Sequence, residues 1–283
     1  MWWSIIGITF NVIVTCSDGK TALKGYQVWE DGRLRANCEF PCEELLAREA
    51  YLYRHIGAHP QILQFHGLEE VHPGVHSLRL EFAQRRDVRQ YIATMHEGPP
   101  PPYHVRVRMA LDAARAVAHI HARGVFHADL SCRNLFLFDD WRVKLGDFGG
   151  SMIAHDPEGA QHDPEFTKST TREEAEYALP LRGRAYVDLP RIQREIFALG
   201  SAVFEMVAWR RVYAAARDED ERDDMYDRGE LPPLTGGVVG DRLGDVGPVI
   251  QRCWDEQYER ADDVAADLEK ALAAADEKKA KVR

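Results

Sequence analysis

Apolar positions along this chain follow two different rhythms. Up to about residue 38 they are dense and β-branched, broken at Ser17-Asp18-Gly19 and Glu30-Asp31-Gly32, which predicts strands joined by turns. The uncharged stretch 1–16 lacks a basic start and is interrupted by Ser4, Thr9 and Asn11, so it is expected to form a buried β-hairpin rather than a leader. Pro41 opens a predicted helix with Glu43 and Glu44 in its first turn, where the helix dipole favours negative charge, and Gly57 ends it. Short strands are expected over 62–67 and 78–82, and Gly98 with Pro99–Pro102 interrupts the pattern.

Beyond that break the period becomes helical. Val107, Ala110, Leu111, Ala114, Val117 and Ala118 make one buried stripe of a helix over 105–122, with Gly124 beyond its end. An apolar hairpin is expected from 135–138 and 142–145, turning at Asp139-Asp140. Residues 150–190 are polar and irregular, and helical patterns return at 195–209, 246–253 and 261–274. Strands first and helices later describe an α+β chain. It has a small β-rich lobe with one main helix (about 1–82) and a larger helical lobe (about 87–276), and its charged last residues, 277–283, are expected to fray.

Composition narrows the partners. With 283 residues the chain can bury a substantial core. Its 36 basic against 46 acidic residues give a formal charge of −10, which argues against a nucleic-acid or anionic-membrane surface as the main partner. The five cysteines are odd in number and lack a paired CxxC spacing, so the expectation is free thiols in a reducing compartment, cytoplasmic or nuclear, in a monomer.

The densest chemistry lies in His127-Ala128-Asp129-Leu130-Ser131-Cys132-Arg133-Asn134, followed by Asp147-Phe148-Gly149. An Asp and an Asn five positions apart share one tight loop, where a carboxylate can face a hydroxyl nucleophile while oxygen ligands hold a metal on a triphosphate. In order and spacing these residues resemble the catalytic loop and metal motif of the eukaryotic protein kinases. The resemblance implies the bilobal protein kinase fold, ATP and Mg2+, and a protein substrate whose identity stays open. It implies Asp129 as catalytic base, Asn134 and Asp147 as metal ligands, and Arg133 as a cation on the transferred γ-phosphate.

Other positions extend the match. Thr21-Ala22-Leu23-Lys24 resembles the strand whose lysine contacts the α- and β-phosphates. On the helix after Pro41, Glu49 falls among Leu45, Leu52 and Ile56, a stripe expected to be buried. A buried carboxylate needs a partner, and Lys24 is the obvious one. Gly7, Val14 and Ala22 would border the nucleotide, the backbone of Glu81 and Ala83 would bind the adenine edge, and Asp87 would either touch the ribose or cap the next helix. His127 and Phe148 would stack with Tyr53. Glu195-Ile196-Phe197-Ala198-Leu199-Gly200 resembles a helix start whose acid holds the catalytic-loop backbone, and Cys253-Trp254 resembles a pair near the end of the tyrosine-kinase-like groups.

The departures are equally definite. Gly7 and Val14 alone fit the glycine-rich loop pattern, with Thr9 and Val12 where glycines would let the backbone approach phosphates. Ala128 replaces an arginine that usually pairs with a phosphate on the activation segment, so Thr167, Ser169, Thr170 and Thr171 are not expected to form an on-switch. Ser131 stands where serine/threonine kinases have lysine, Glu174 where they typically have threonine, and Leu181 where the segment ends on glutamate. These departures keep a catalytically weak binding module as the alternative.

Overall fold

The computed structural model describes residues 12–16, 18–26, 42–94, 99–155, 164–171 and 173–282. The expected hairpin over 1–16 and the turn at residues 30–32 fall largely outside them.

A four-stranded antiparallel sheet forms the small lobe. Its strands are β1 (Val12–Thr15), β2 (Thr21–Gly25), β3 (Phe65–His72) and β4 (Val75–Glu81), in the order β1-β2-β4-β3. The hairpin turn of β3 and β4 contains Gly74 at φ +72. The strands expected over 62–67 and 78–82 are therefore displaced: Ile62 makes only an isolated bridge to Leu145. Helix α1 (Cys42–Ile56) lies against this sheet.

The expected stripe of α1 needs one correction. Leu45 is 41% exposed, whereas Leu46, Glu49, Ala50, Leu52, Tyr53 and Ile56 are buried. The spacing 46, 49/50, 53, 56 tracks the helical period better than a stripe started at Leu45, and it keeps Glu49 inward.

The chain leaves the sheet at Glu81 and enters the larger lobe through α2 (Val88–Thr94) and α3 (Tyr103–Ala122). Short antiparallel pairs follow in the larger lobe, β5 (Val125–Phe126) with β8 (Met152–Ile153) and β6 (Leu135–Leu137) with β7 (Val143–Leu145). The Leu63 N–H donates to Leu145 O at 2.8 Å and the Leu145 N–H to Gln61 O at 2.8 Å, which ties the small lobe to β7.

Helix α4 (Arg191–Ala208) is the centre of the large lobe, buried at every position from Arg194 onward. A helix hydrophobic almost all round belongs in the middle of a domain. Helices α5 (Glu219–Asp227), α6 (Gly237–Leu243), α7 (Gly247–Trp254) and α8 (Ala261–Val282) complete the lobe. A Cβ on Gly200 would lie 2.5 Å from that of Cys253, so glycine is what lets α4 and α7 approach, and Trp254 Nε1 donates to Ser201 Oγ at 3.1 Å.

The expectation of a frayed tail is not met for the described residues. Helix α8 continues through the charged residues to Val282, with its own Ala271 and Ala275 buried and Lys278 Nζ 2.7 Å from Asp245 Oδ2. Among the described residues, no helix is long and apolar enough to cross a membrane.

Candidate active site between the two lobes

Two unusual backbone conformations frame the cleft. Ala128 (φ +65) and Asp147 (φ +61) both adopt the left-handed region, costly for residues with a Cβ and held only where the surroundings impose it. At Ala128 the restraint is visible: its N–H donates to Glu195 Oε1 at 2.6 Å, and the other oxygen of Glu195 is 2.8 Å from His121 Nε2. Glu195, on α4, thus holds both the catalytic loop and the last turn of α3.

Asp147 follows β7 and faces the small lobe. Lys24 Nζ, on β2, lies 2.6 Å from Asp147 Oδ1 and 2.8 Å from Glu49 Oε2 on α1. One ammonium between two carboxylates in a buried setting reshapes all three titrations. Burial alone would push Lys24 down, but the Asp147 and Glu49 charges outweigh it and its pKa is raised. For Glu49 burial wins and the pKa rises despite Lys24. For Asp147 burial is overcome by the charge and hydrogen bond of Lys24, and the pKa is lowered.

Phe148 turns the opposite way into the core. Its ring packs edge-on against Tyr53 at 4.9 Å and against His127 at 5.4 Å, joining α1 to the catalytic loop. His127 Nε2 donates to Gly146 O at 3.0 Å, which fixes that contact.

Within the catalytic loop, Asn134 Nδ2 donates to the backbone oxygen of Asp129 at 2.7 Å. Its amide oxygen accepts no hydrogen bond from the described residues. Asn134 O accepts from the Gly146 N–H at 3.0 Å, so Asn134 and Asp147 sit on adjoining strands of backbone. Burial pushes the Asp129 carboxyl up, reinforced by Glu174 and Asp147 and opposed by His127 and Arg133.

One neutral amide oxygen and one ionised carboxylate suit Mg2+, which keeps waters and substrate phosphates in its shell rather than filling it with protein ligands. Among the described residues no three His, Cys, Asp or Glu side chains converge as a metal cage. The donor set therefore fits a magnesium–triphosphate.

At the junction of the lobes, the Ala83 N–H bonds to no described residue, and Ala22 and Leu80 are buried beside each other in the β2–β4 ladder. The Glu81 carboxylate is taken by Lys144 Nζ at 2.7 and 2.9 Å, a partner the sequence did not suggest. Asp87 Oδ1 accepts the Gln90 N–H at 2.7 Å, which caps α2. Val14 pairs with Leu23 in the sheet, and Gly7 lies outside the described residues.

A second network, missed in the sequence, underlies the catalytic loop. Arg89 on α2 contacts both oxygens of Glu205 on α4 at 3.2 Å and the Tyr177 hydroxyl at 2.9 Å; the Tyr177 hydroxyl donates to Glu205 Oε2 at 2.5 Å and accepts the Cys132 N–H at 3.1 Å. A signal was there: Glu205 interrupts Ala202-Val203-Phe204 and Met206-Val207 in an otherwise apolar helix, and a charge in such a run needs a partner.

Lys24 between Glu49 and Asp147, with Asp129 and Asn134 on the adjoining loop, is the arrangement that a two-lobed phosphotransferase requires. A family model for the protein kinase domain matches residues 33–235, well over half of the chain, and includes Glu49, Asp129, Asn134 and Asp147 while beginning after Lys24. The chain belongs to the protein kinase family.

Relatives agree. The serine/threonine/tyrosine-protein kinase HT1 of Arabidopsis thaliana is 23% identical over 251 residues, 85% of this chain and 57% of that protein. The dual specificity testis-specific protein kinase 1 of Homo sapiens is 31% identical over 187 residues, 65% of this chain and 28% of that protein. The serine/threonine-protein kinase LMTK3 of Mus musculus is 36% identical over 115 residues, 38% of this chain and 8% of that protein. The matched stretch thus spans little more than half of the first relative and far less of the others.

Proposed function

We propose that this chain transfers the γ-phosphate of ATP, with Mg2+, to a hydroxyl of a protein substrate. The observation that carries this reading is the position of Lys24, within 2.8 Å of both Glu49 and Asp147, with Phe148 packed between Tyr53 and His127. That arrangement joins α1, the sheet and the metal-binding segment in one unit, as phosphate positioning requires.

Asp129 accepts the proton of the acceptor hydroxyl as that oxygen bonds to the γ-phosphorus and the bond to the β-bridging oxygen breaks, leaving ADP. Lys24 steadies the α- and β-phosphates and Arg133 the γ-phosphate. Asn134 and Asp147 would hold magnesium, which supplies charge neutralisation on the phosphate oxygens. The free Ala83 N–H, with the Glu81 carbonyl, offers an edge for adenine. The relatives are named as serine/threonine/tyrosine and dual-specificity kinases, which keeps Ser, Thr and Tyr all open as acceptors. Buried free thiols at Cys132 and Cys253 are consistent with work in the cytoplasm or nucleus.

The test is thermal unfolding with and without ATP·Mg2+, on wild type and Asp147→Asn, followed by transfer to a mixed library of peptides each carrying one Ser, Thr or Tyr. Ligand at a hundred times its dissociation constant stabilises by about 2.7 kcal/mol, a shift of several degrees. The shift is expected in wild type and not in the mutant. No shift at millimolar ATP would replace this reading with a kinase-fold binding module, the alternative that the substituted glycine loop favours.

A further inference from the structure

Two of the positions that depart from the serine/threonine pattern meet in space. Glu174, on the activation segment, replaces a threonine, and Arg133 supplies a cation later in the loop than the residue Ser131 replaces. In the structure Arg133 Nη2 lies 2.5 Å from Glu174 Oε1. The second oxygen of Glu174 accepts from Arg89 Nη1 at 2.6 Å. Arg89 is itself locked, its other N–H groups spent on the fully buried Glu205 and on Tyr177.

We propose that Glu174 is a positioning residue for phosphoryl transfer, holding the Arg133 guanidinium at the mouth of the cleft with its remaining N–H groups turned to the γ-phosphate. The inference rests on the phosphotransferase reading and assigns this site a part that the sequence did not.

The physical case is one of preorganisation. The Arg133 side chain is 53% exposed. An unrestrained arginine there would carry its full rotamer freedom into the reaction and lose it at the transition state. The ion pair with Glu174 keeps the guanidinium beside that carboxylate, while several N–H donors contact no other described residue. Glu174 can do this because it does not float on the segment: Arg89 ties it to α2, and through Glu205 to the central helix α4. The order Glu205–Arg89–Glu174–Arg133 alternates in sign along its length, so each charge is neutralised by its neighbour. A threonine in place of Glu174 would be too short to span Arg89 and Arg133.

The experiment is a double-mutant cycle on the full chain with Glu174→Gln, Arg133→Ala and the double variant, with Glu174→Asp as the conservative control. Two quantities are read: the transfer rate to the mixed peptide library, and the affinity ratio for a non-hydrolysable ATP analogue over ADP, both with Mg2+. If Glu174 acts through Arg133, each single variant lowers kcat at least tenfold and shrinks the analogue preference, with the KM for ATP within about threefold. The double variant is then no worse than Arg133→Ala, and Glu174→Asp recovers part of the rate. The idea is overturned if the Glu174→Gln loss persists undiminished in the Arg133→Ala background with a fallen melting midpoint, since Glu174 would then only brace Arg89. It is equally overturned if Glu174→Gln changes neither quantity. Absence of transfer by wild type, with an analogue preference that depends on both side chains, would sink the phosphotransferase reading and support the pair.

Discussion

Glu195 Oε1 accepts the Ala128 N–H at 2.6 Å, one carboxylate of the central helix holding the catalytic loop at the residue where its backbone turns left-handed. Glu195 is 3% exposed, so its removal strands a buried N–H and leaves a strained turn without its restraint. Glu195→Ala is expected to cost about 2–3 kcal/mol in urea unfolding. Glu195→Asp, one methylene shorter, should fall between. An Ala variant as stable as wild type would show that the loop holds itself.

Lys24 neutralises two carboxylates, and breaking a buried ion pair on one side costs more than replacing both. Lys24→Met leaves Glu49 and Asp147 facing each other and is expected to destabilise by about 3–5 kcal/mol. Lys24→Met with Glu49→Leu should recover much of that loss, while neither variant shows the ATP·Mg2+ shift. Denaturant midpoints and nucleotide shifts, measured side by side, check both statements.

The activation segment rests on Gly150, whose added Cβ would lie 2.2 Å from Thr171 Oγ1 and 2.7 Å from its Cγ2. Thr170 N–H donates to Gly150 O at 3.3 Å, and Ser169 Oγ to the same oxygen at 3.1 Å. Gly150→Ala should lift the segment and cost about 1–3 kcal/mol. Combining it with Thr171→Ala removes the two nearest atoms, leaving only the Thr171 Cβ at 3.0 Å, and should largely restore slow protease cleavage near residue 170. Equal cleavage of single and double variants would refute the contact.

The same contacts bear on regulation. Thr170 and Thr171 lie against Gly149, Gly150 and Ala128 without any phosphate, so replacing both with Ala is expected to leave peptide phosphorylation within about threefold of wild type. A loss beyond tenfold would mean that phosphorylation there is an on-switch after all.

His59, in the α1–β3 connection, stacks on His119 of α3 at 4.2 Å, and His119 Nε2 donates to Ile56 O at 3.0 Å. Burial lowers both pKa values, helped at His59 by His119 and Arg115 and at His119 by Arg123. The folded protein therefore holds fewer protons than the unfolded chain just below the ordinary histidine value of about 6.5. Their contribution is complete above that pH and is lost as the pH falls through it. The melting midpoint should drop from about pH 7.5 to about pH 5.5, and His59→Phe should flatten that slope.

Much of the site was legible because its chemistry is local. Asp129 and Asn134 share one loop, Asp147-Phe148-Gly149 is contiguous, and a carboxylate at Glu49 on an apolar helix face announces a partner whichever leucine starts the stripe. The exact strands were less legible: Ile62 and Leu63 have a strand's composition, yet their backbones pair with Gln61's neighbour β7 only through isolated bonds, because the lobe junction claims them.

The sequence by itself determined the two-lobe order, the inward face of α3 and the residue types at the cleft, since period and spacing act over a few neighbours. Only the tertiary structure decided that Lys24 meets both Glu49 and Asp147, that Lys144 takes the Glu81 carboxylate, and that Arg89 links Glu205 to Glu174 and so to Arg133. Those pairings join residues from 25 to 123 positions apart. With 46 acidic and 36 basic side chains available, many pairings satisfy charge, and the packing of α1, α2 and α4 selects among them.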